Sequence, residues 1–333
     1  MKIQCAISVA GNRTAFIGRF GKAALVVVFF AVAGCSTMNS GVSKDGAASA
    51  GAASQVGNKV SKAERKQYVA WLLGQGEKAL VAGETAGAYA AYAKLLQMEP
   101  NNPRALLGLA ETKLADGDAK RAAAVFARAA KTPALKPLAM QGIGLSLVKE
   151  ERYAAAERNL LAAVEADGEL WRAWNGLGEI ADNYGNWDKA RQHYEKALKA
   201  NPDAATTYNN IGVSLLVQGR YREAEKQFRE ATDREPTLRR AKSNLRLALA
   251  WQGKYGEALT GTTKADTPVV LNNLGYIAMK KGDYQFAEAY LVQAMQLSPS
   301  YYAKAAQNLN VLHQVKKAQI VVKPDKPVTM KPQ

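Results

Sequence analysis

The stretch WNGLGEIADNYGNWDKARQHYEKALKANP, residues 174–202, returns 34 residues later as YNNIGVSLLVQGRYREAEKQFREATDREP, residues 208–236. Trp174 falls on Tyr208, Gly178 on Gly212, Gly185 on Gly219, Ala190 on Ala224, Tyr194 on Phe228 and Pro202 on Pro236. A fixed period of this length restricts the fold to a stack of like units. Each unit is too small to bury its own apolar face and is stabilised by its neighbours.

Extending the register gives seven units starting at 69, 103, 137, 171, 205, 239 and 268, which tile residues 69–301 without a gap. Position 8 is small (Gly76, Ala110, Gly144, Gly178, Gly212, Gly275), and position 20 is alanine in all seven units. Small residues belong where two helices approach most closely. An aromatic at position 17 (Tyr153, Trp187, Tyr221, Tyr255, Tyr284) is expected to fill the space between the two helices of a unit. Glycine near position 15 is expected to end the first helix in the left-handed conformation. The pattern resembles the tetratricopeptide repeat (TPR), which implies an all-α, right-handed solenoid of about seven helix pairs.

Two units depart from the pattern. The first has Gln75 at position 7 and Thr85 at 17, as expected of an end unit. The sixth, Arg239 to Thr267, has 29 residues, and TGTTKADTP interrupts its second helix. Five fewer residues correspond to about 7.5 Å of helix. Residues 302–317 carry apolar spacing suited to a capping helix, and 318–333 read as a disordered basic tail of Lys and Pro.

The other end carries different information. Lys2, Arg13, Arg19 and Lys22 precede an apolar run from Ala23 to Ala33, and no acid occurs before Asp45. This order is that of a signal peptide, and the run is shorter than the roughly 20 apolar residues a spanning helix needs. Val32-Ala33-Gly34-Cys35 resembles the bacterial lipoprotein lipobox, which implies that 1–34 is removed and that Cys35 carries acyl chains. Two or more chains give stable attachment where one does not. Ser36, in place of Asp, implies export to the outer membrane. Residues 35–68 then form a small-residue tether running into the first helix.

The chain has 45 Lys and Arg against 29 Asp and Glu, a formal charge of +16, and its two cysteines, Cys5 and Cys35, build no disulfide framework. Catalytic patterns are lacking. Ser146 and Lys149 match SxxK without companion motifs, the paired glycines at 142/144 and 74/76 lack a third glycine and a preceding strand, and His193 and His313 stand far apart. The expectation is a non-enzymatic protein with no cofactor, no metal and no small-molecule substrate. Its aromatics are committed to packing and do not interleave a basic stripe, so nucleic acid is not expected as a partner.

A protein partner is expected on the first-helix face, where positions 2, 5, 6, 9, 12 and 13 align. The candidate residues are Asn209, Asn210, Val213 and Val217, then Asn244, Leu247 and Trp251, then Asn272, Asn273, Tyr276 and Lys280. Asparagine at position 6 supplies donor and acceptor to a peptide main chain, or bonds locally. Glu179, Asp182 and Asn183 read as an acidic patch in the fourth unit.

The lipobox, tether, repeats, SNLRLALAWQGKYGEAL, the shortened unit and NNLGYIAMKKGDYQFAE together resemble TadD-type lipoproteins of tight-adherence (Flp) pilus assembly, with pilotin-type TPR lipoproteins close in architecture. The resemblance implies a lipid-anchored scaffold on the periplasmic face of the outer membrane that binds a secretin or another pilus or secretion component. The alternative is a periplasmic adaptor for cell-wall enzymes or envelope biogenesis.

Overall fold

The computed structural model describes residues 61–322, and all regular structure there is helical. Cys35, the leader 1–34, the tether up to residue 60 and the tail from 323 lie outside the described residues.

Helices pair in chain order: α1 (Lys62–Val81) with α2 (Thr85–Met98), α3 (Pro103–Ala115) with α4 (Ala119–Ala129), and α5 (Lys136–Lys149) with α6 (Tyr153–Ala166). They continue as α7 (Trp171–Asn183) with α8 (Trp187–Ala200), α9 (Ala205–Val217) with α10 (Tyr221–Arg234), α11 (Arg239–Trp251) with α12 (Tyr255–Leu259), and α13 (Thr267–Lys281) with α14 (Tyr284–Leu297). A single helix, α15 (Pro299–Val322), closes the stack. The first helix starts in a capping box, in which Ser61 accepts from the Glu64 amide and the Glu64 carboxylate accepts from the Ser61 amide.

Steric fit sets the pairing. An ideal Cβ on Gly178 would lie 2.4 Å from Tyr194, and one on Gly212 would lie 2.5 Å from Phe228. No real side chain tolerates that approach, so the first helix of the pair reaches the second only as glycine. The alanines at position 20, among them Ala156, Ala190 and Ala224, are fully buried. The rings they allow in, Tyr92, Phe126, Tyr194 and Phe228, are the largest buried side chains, each contributing about 1.5–3 kcal/mol by burial.

The glycines at position 15 adopt left-handed backbone, as at Gly185 with φ 73° and Gly253 with φ 84°. In the third unit Glu151 takes that place with φ 59°, alone among non-glycine residues described.

Position 17 does more than fill its own unit. Tyr153 Oη accepts from Asn183 Nδ2 of the next unit at 2.8 Å, and Tyr221 stacks on Trp251 of the next with ring centroids 5.4 Å apart. Tyr255 donates to Asp283 at 2.6 Å. These rings pin one unit to its successor.

The sixth unit loses more helix than the deletion alone requires. Helix α12 has 5 residues against 14 in α10 and α14, a shortfall of about 13.5 Å at 1.5 Å per residue. Four residues beyond the five deleted are consumed by the direct crossing to α13. The crossing is held by Thr263, whose hydroxyl donates to the Asp266 carboxylate and whose carbonyl accepts from the Thr267 hydroxyl.

The last helix is also longer than the span 302–317 read from the sequence, and residues 318–322, assigned there to the tail, are helical. Pro299 suits a first helical turn, where its missing N–H is not needed. The first proline of the tail is Pro324, so nothing disfavours helix before its predecessor Lys323.

Candidate functional site: the first-helix face

The first helices line up so that equivalent positions of successive units meet, and the asparagines make this visible. Asn244 Nδ2 donates to Asn209 Oδ1 at 2.9 Å, Asn209 Nδ2 to Asn210 Oδ1 at 3.2 Å, and Asn210 Nδ2 to Asn175 Oδ1 at 3.2 Å. A continuous amide relay therefore crosses the fourth, fifth and sixth units. In each step between units, position 6 donates back to position 5 of the unit before. Asn272 accepts from Asn308 of α15 at 3.0 Å. Asn273 faces a unit with Ser243 at position 5 and makes no side-chain hydrogen bond among the described residues.

The relay replaces another kind of joint. In the second, third and fourth units position 6 is Gly108, Gly142 or Gly176. An added Cβ there would lie 2.2 Å from Tyr92, 2.4 Å from Phe126 and 3.0 Å from Leu160 respectively. The front of the array thus seats the preceding unit's large side chain against glycine, and the back joins its units by amides. The change from Gly to Asn falls at a single repeat position, 6, and is visible in the sequence.

The remaining candidates divide by exposure. Asn209 and Leu247 are buried, and Asn272 is 9 % exposed. Asn210, Val213, Asn244, Trp251, Asn273 and Tyr276 are half-buried, while Val217 and Lys280 are exposed. Lys280 Nζ sits 5.5 Å from the centre of the Tyr276 ring. The candidate residues therefore offer rings, aliphatic carbon and the Lys280 cation around amides that, Asn273 apart, are already engaged with other asparagines.

Towards the N-terminus the same face is charged. Arg172 makes two hydrogen bonds to Glu111, 61 residues earlier, at 2.9 and 3.1 Å, and Arg104 pairs with Glu77 at 3.0 Å. Arg240 stands at the same spacing from Glu179 and instead donates to Thr206 at 3.1 Å. Burial raises the Glu179 carboxyl, and Lys149 and Arg240 oppose the rise.

The acidic patch read at Glu179, Asp182 and Asn183 is not presented as such. Asp182 is 7 % exposed and accepts from Tyr194 Oη at 2.8 Å and Ser214 Oγ at 2.7 Å. Asn183 is turned to Tyr153. Of the three, Glu179 alone keeps its side chain on the first-helix face, where it is half-buried. Burial raises Asp182 despite these two donors.

The lookalike motifs sit in packing positions. Ser146 is fully buried, and its hydroxyl donates to the Gly142 carbonyl at 2.7 Å. His193 is buried against Trp174, with ring centroids 5.6 Å apart and neither nitrogen hydrogen-bonded. Burial, with Lys189 and Lys196 nearby, holds it down at about 4. No group of three or more His, Cys, Asp or Glu able to hold a metal occurs among the described residues.

Models of the tetratricopeptide repeat match residues 79–135, 172–234, 209–262 and 268–301. The chain is a tetratricopeptide-repeat protein, and the helix pairs above are its repeats. None of the curated proteins matches it. Among solved structures, a human IFIT1 dimer with m7Gppp-AAAA is similar at 17 % identity and a TM-score of 0.60, over 75 % of this chain and 64 % of that one. Cut9-Hcn1, from an APC/C hetero-tetramer, is similar at 17 % identity and a TM-score of 0.51, over 75 % of this chain and 43 % of that one. Both likenesses speak for the fold alone. The pilF protein of Pseudomonas aeruginosa reaches 19 % identity over 77 % of this chain and 99 % of that one, with a TM-score of 0.45, too low a superposition to carry a functional argument.

Proposed function

We propose that this protein is a lipid-anchored scaffold that holds a pilus or secretion-system component, such as a secretin, at the periplasmic face of the outer membrane. That a repeat solenoid of this kind acts by binding protein partners follows from the fold. The anchor rests on one observation, the Val32-Ala33-Gly34-Cys35 sequence behind a basic and then apolar leader, and the outer-membrane address on Ser36 directly after it. The partner-facing surface is the first-helix face of the fifth to seventh repeats, where Val217, Trp251, Tyr276 and Lys280 surround the amide relay. The TadD-like combination of lipobox, tether and shortened repeat supports a role in pilus assembly.

Cys35→Ala is expected to release the protein from the membrane fraction, and retention equal to wild type would refute the anchor. Photo-crosslinkers at Val217 and Tyr276, with the captured protein identified by mass spectrometry, test the rest. Capture of a secretin or pilus component supports the reading, whereas capture of cell-wall hydrolases or synthases replaces it with an envelope adaptor.

A further inference from the structure

The first helix of a solenoid has a neighbour on one side only. In α1 that side is apolar: Leu72 and Gly76 are buried, and Val69, Leu73 and Leu80 pack with Tyr92 and Leu95 of α2. A terminal repeat ordinarily turns a polar face to solvent. Here the outer side carries Tyr68 and Trp71, 41 % and 55 % exposed, stacked in parallel with centroids 5.7 Å apart. Side chains with an apolar body and a polar tip settle at the boundary between headgroups and acyl chains. Lys78, seven residues after Trp71 and so on the same side of the helix, is exposed and forms no ion pair among the described residues, which suits it to an anionic headgroup. No described helix is long and apolar enough to cross a membrane.

The chain leading into α1 selects the occupant of this face. Twenty-five residues, Ser36 to Val60, separate Cys35 from Ser61, and α1 is the first described element after them. An acylated Cys35 therefore holds α1 nearer to the bilayer surface along the chain than any other described element. We infer that α1 docks on that surface through Tyr68 and Trp71 in the interface and Lys78 over an anionic headgroup. The later repeats are then held away from the membrane, with their first-helix face open to a partner. This inference rests on the lipid-anchor reading.

The test uses the full protein, purified from membranes and reconstituted in phosphatidylethanolamine and phosphatidylglycerol vesicles whose acyl chains are brominated near the glycerol. Native protein is expected to lose up to the emission of one tryptophan in five, and Trp71→Phe is expected to abolish that loss. Lys78→Gln should weaken the quenching. Retained protein whose quenching is absent, or unchanged by Trp71→Phe, overturns the docking and leaves the anchor standing. Protein that floats free of the vesicles overturns both. A Trp71 that is unquenched by bromine but shielded from aqueous iodide, in a particle of doubled mass, assigns the face to a second copy and overturns the lipid reading.

Discussion

Arg246 and Gly261 meet where every other repeat closes two helices upon each other. Arg246 Nη2 donates to the Gly261 carbonyl at 3.1 Å. Position 8 is Gly or Ala in the other six repeats, and in five of them an added Cβ would strike the side chain at position 24. In the sixth repeat the second helix stops before position 24, and the arginine occupies the vacated space. Its Nε is buried without a hydrogen-bond partner, so the substitution compensates for the deletion incompletely.

Arg246→Ala is expected to destabilise the protein by about 1 kcal/mol, from lost stem packing and the lost hydrogen bond to the exposed Gly261 carbonyl. Hydrogen exchange should quicken first at residues 259–267. The reciprocal change, Gly212→Arg, should unfold the fifth repeat, because Phe228 already fills the site. A thermal melt and exchange measured by mass spectrometry check both, and equal tolerance at the two positions would refute the pairing of deletion and arginine.

Glu151→Gly is expected to stabilise the protein. Left-handed backbone costs a non-glycine residue about 1–2 kcal/mol, partly offset by the greater freedom of glycine in the unfolded chain. A net gain of about 0.5–1 kcal/mol in urea unfolding is the predicted outcome. Gly185→Ala, at the same position of the next repeat, should lose a similar amount.

Acid should act on the fold in two separate windows. His193 is depressed to about 4 from an ordinary value near 6.5. Its neutral form is favoured in the folded state, so stability is lost as pH falls from about 6.5 towards 4. Glu225 is held at about 2: burial works to raise it, and hydrogen bonds from Arg229, Gln252 and Lys254 outweigh burial. The stability it supplies is present above about 4.3 and is lost as pH falls towards 2. His193→Phe should flatten the upper part of a stability-against-pH curve and Glu225→Gln the lower part, each leaving the other intact.

The repeat register was legible because packing at positions 8, 15 and 20 admits so few residue types. Ala190, Gly178 and Tyr194 say the same thing three times in each copy. Pairwise chemistry was less legible. Nothing in the spacing of Glu111 and Arg172 says that they bridge an intervening repeat, since that depends on the curvature of the stack. Asp182 reads as a surface acid on a helical wheel, and only the arrival of Ser214 from the next repeat makes it an interior acceptor. The break in the sixth repeat was legible, since α12 ends at Leu259, directly before TGTTKADTP, but the helix lost was not: the sequence shows how many residues are missing, while the route to α13 decides how many more leave the helix.

The amide relay also has a polarity. With every amide from Asn244 back to Asn175 pointing the same way, the row ends in the acceptor oxygen of Asn244 and the donor nitrogen of Asn175. The two ends of the row thus differ in hydrogen-bonding capacity, the half-buried sixth-repeat end accepting and the buried fourth-repeat end donating.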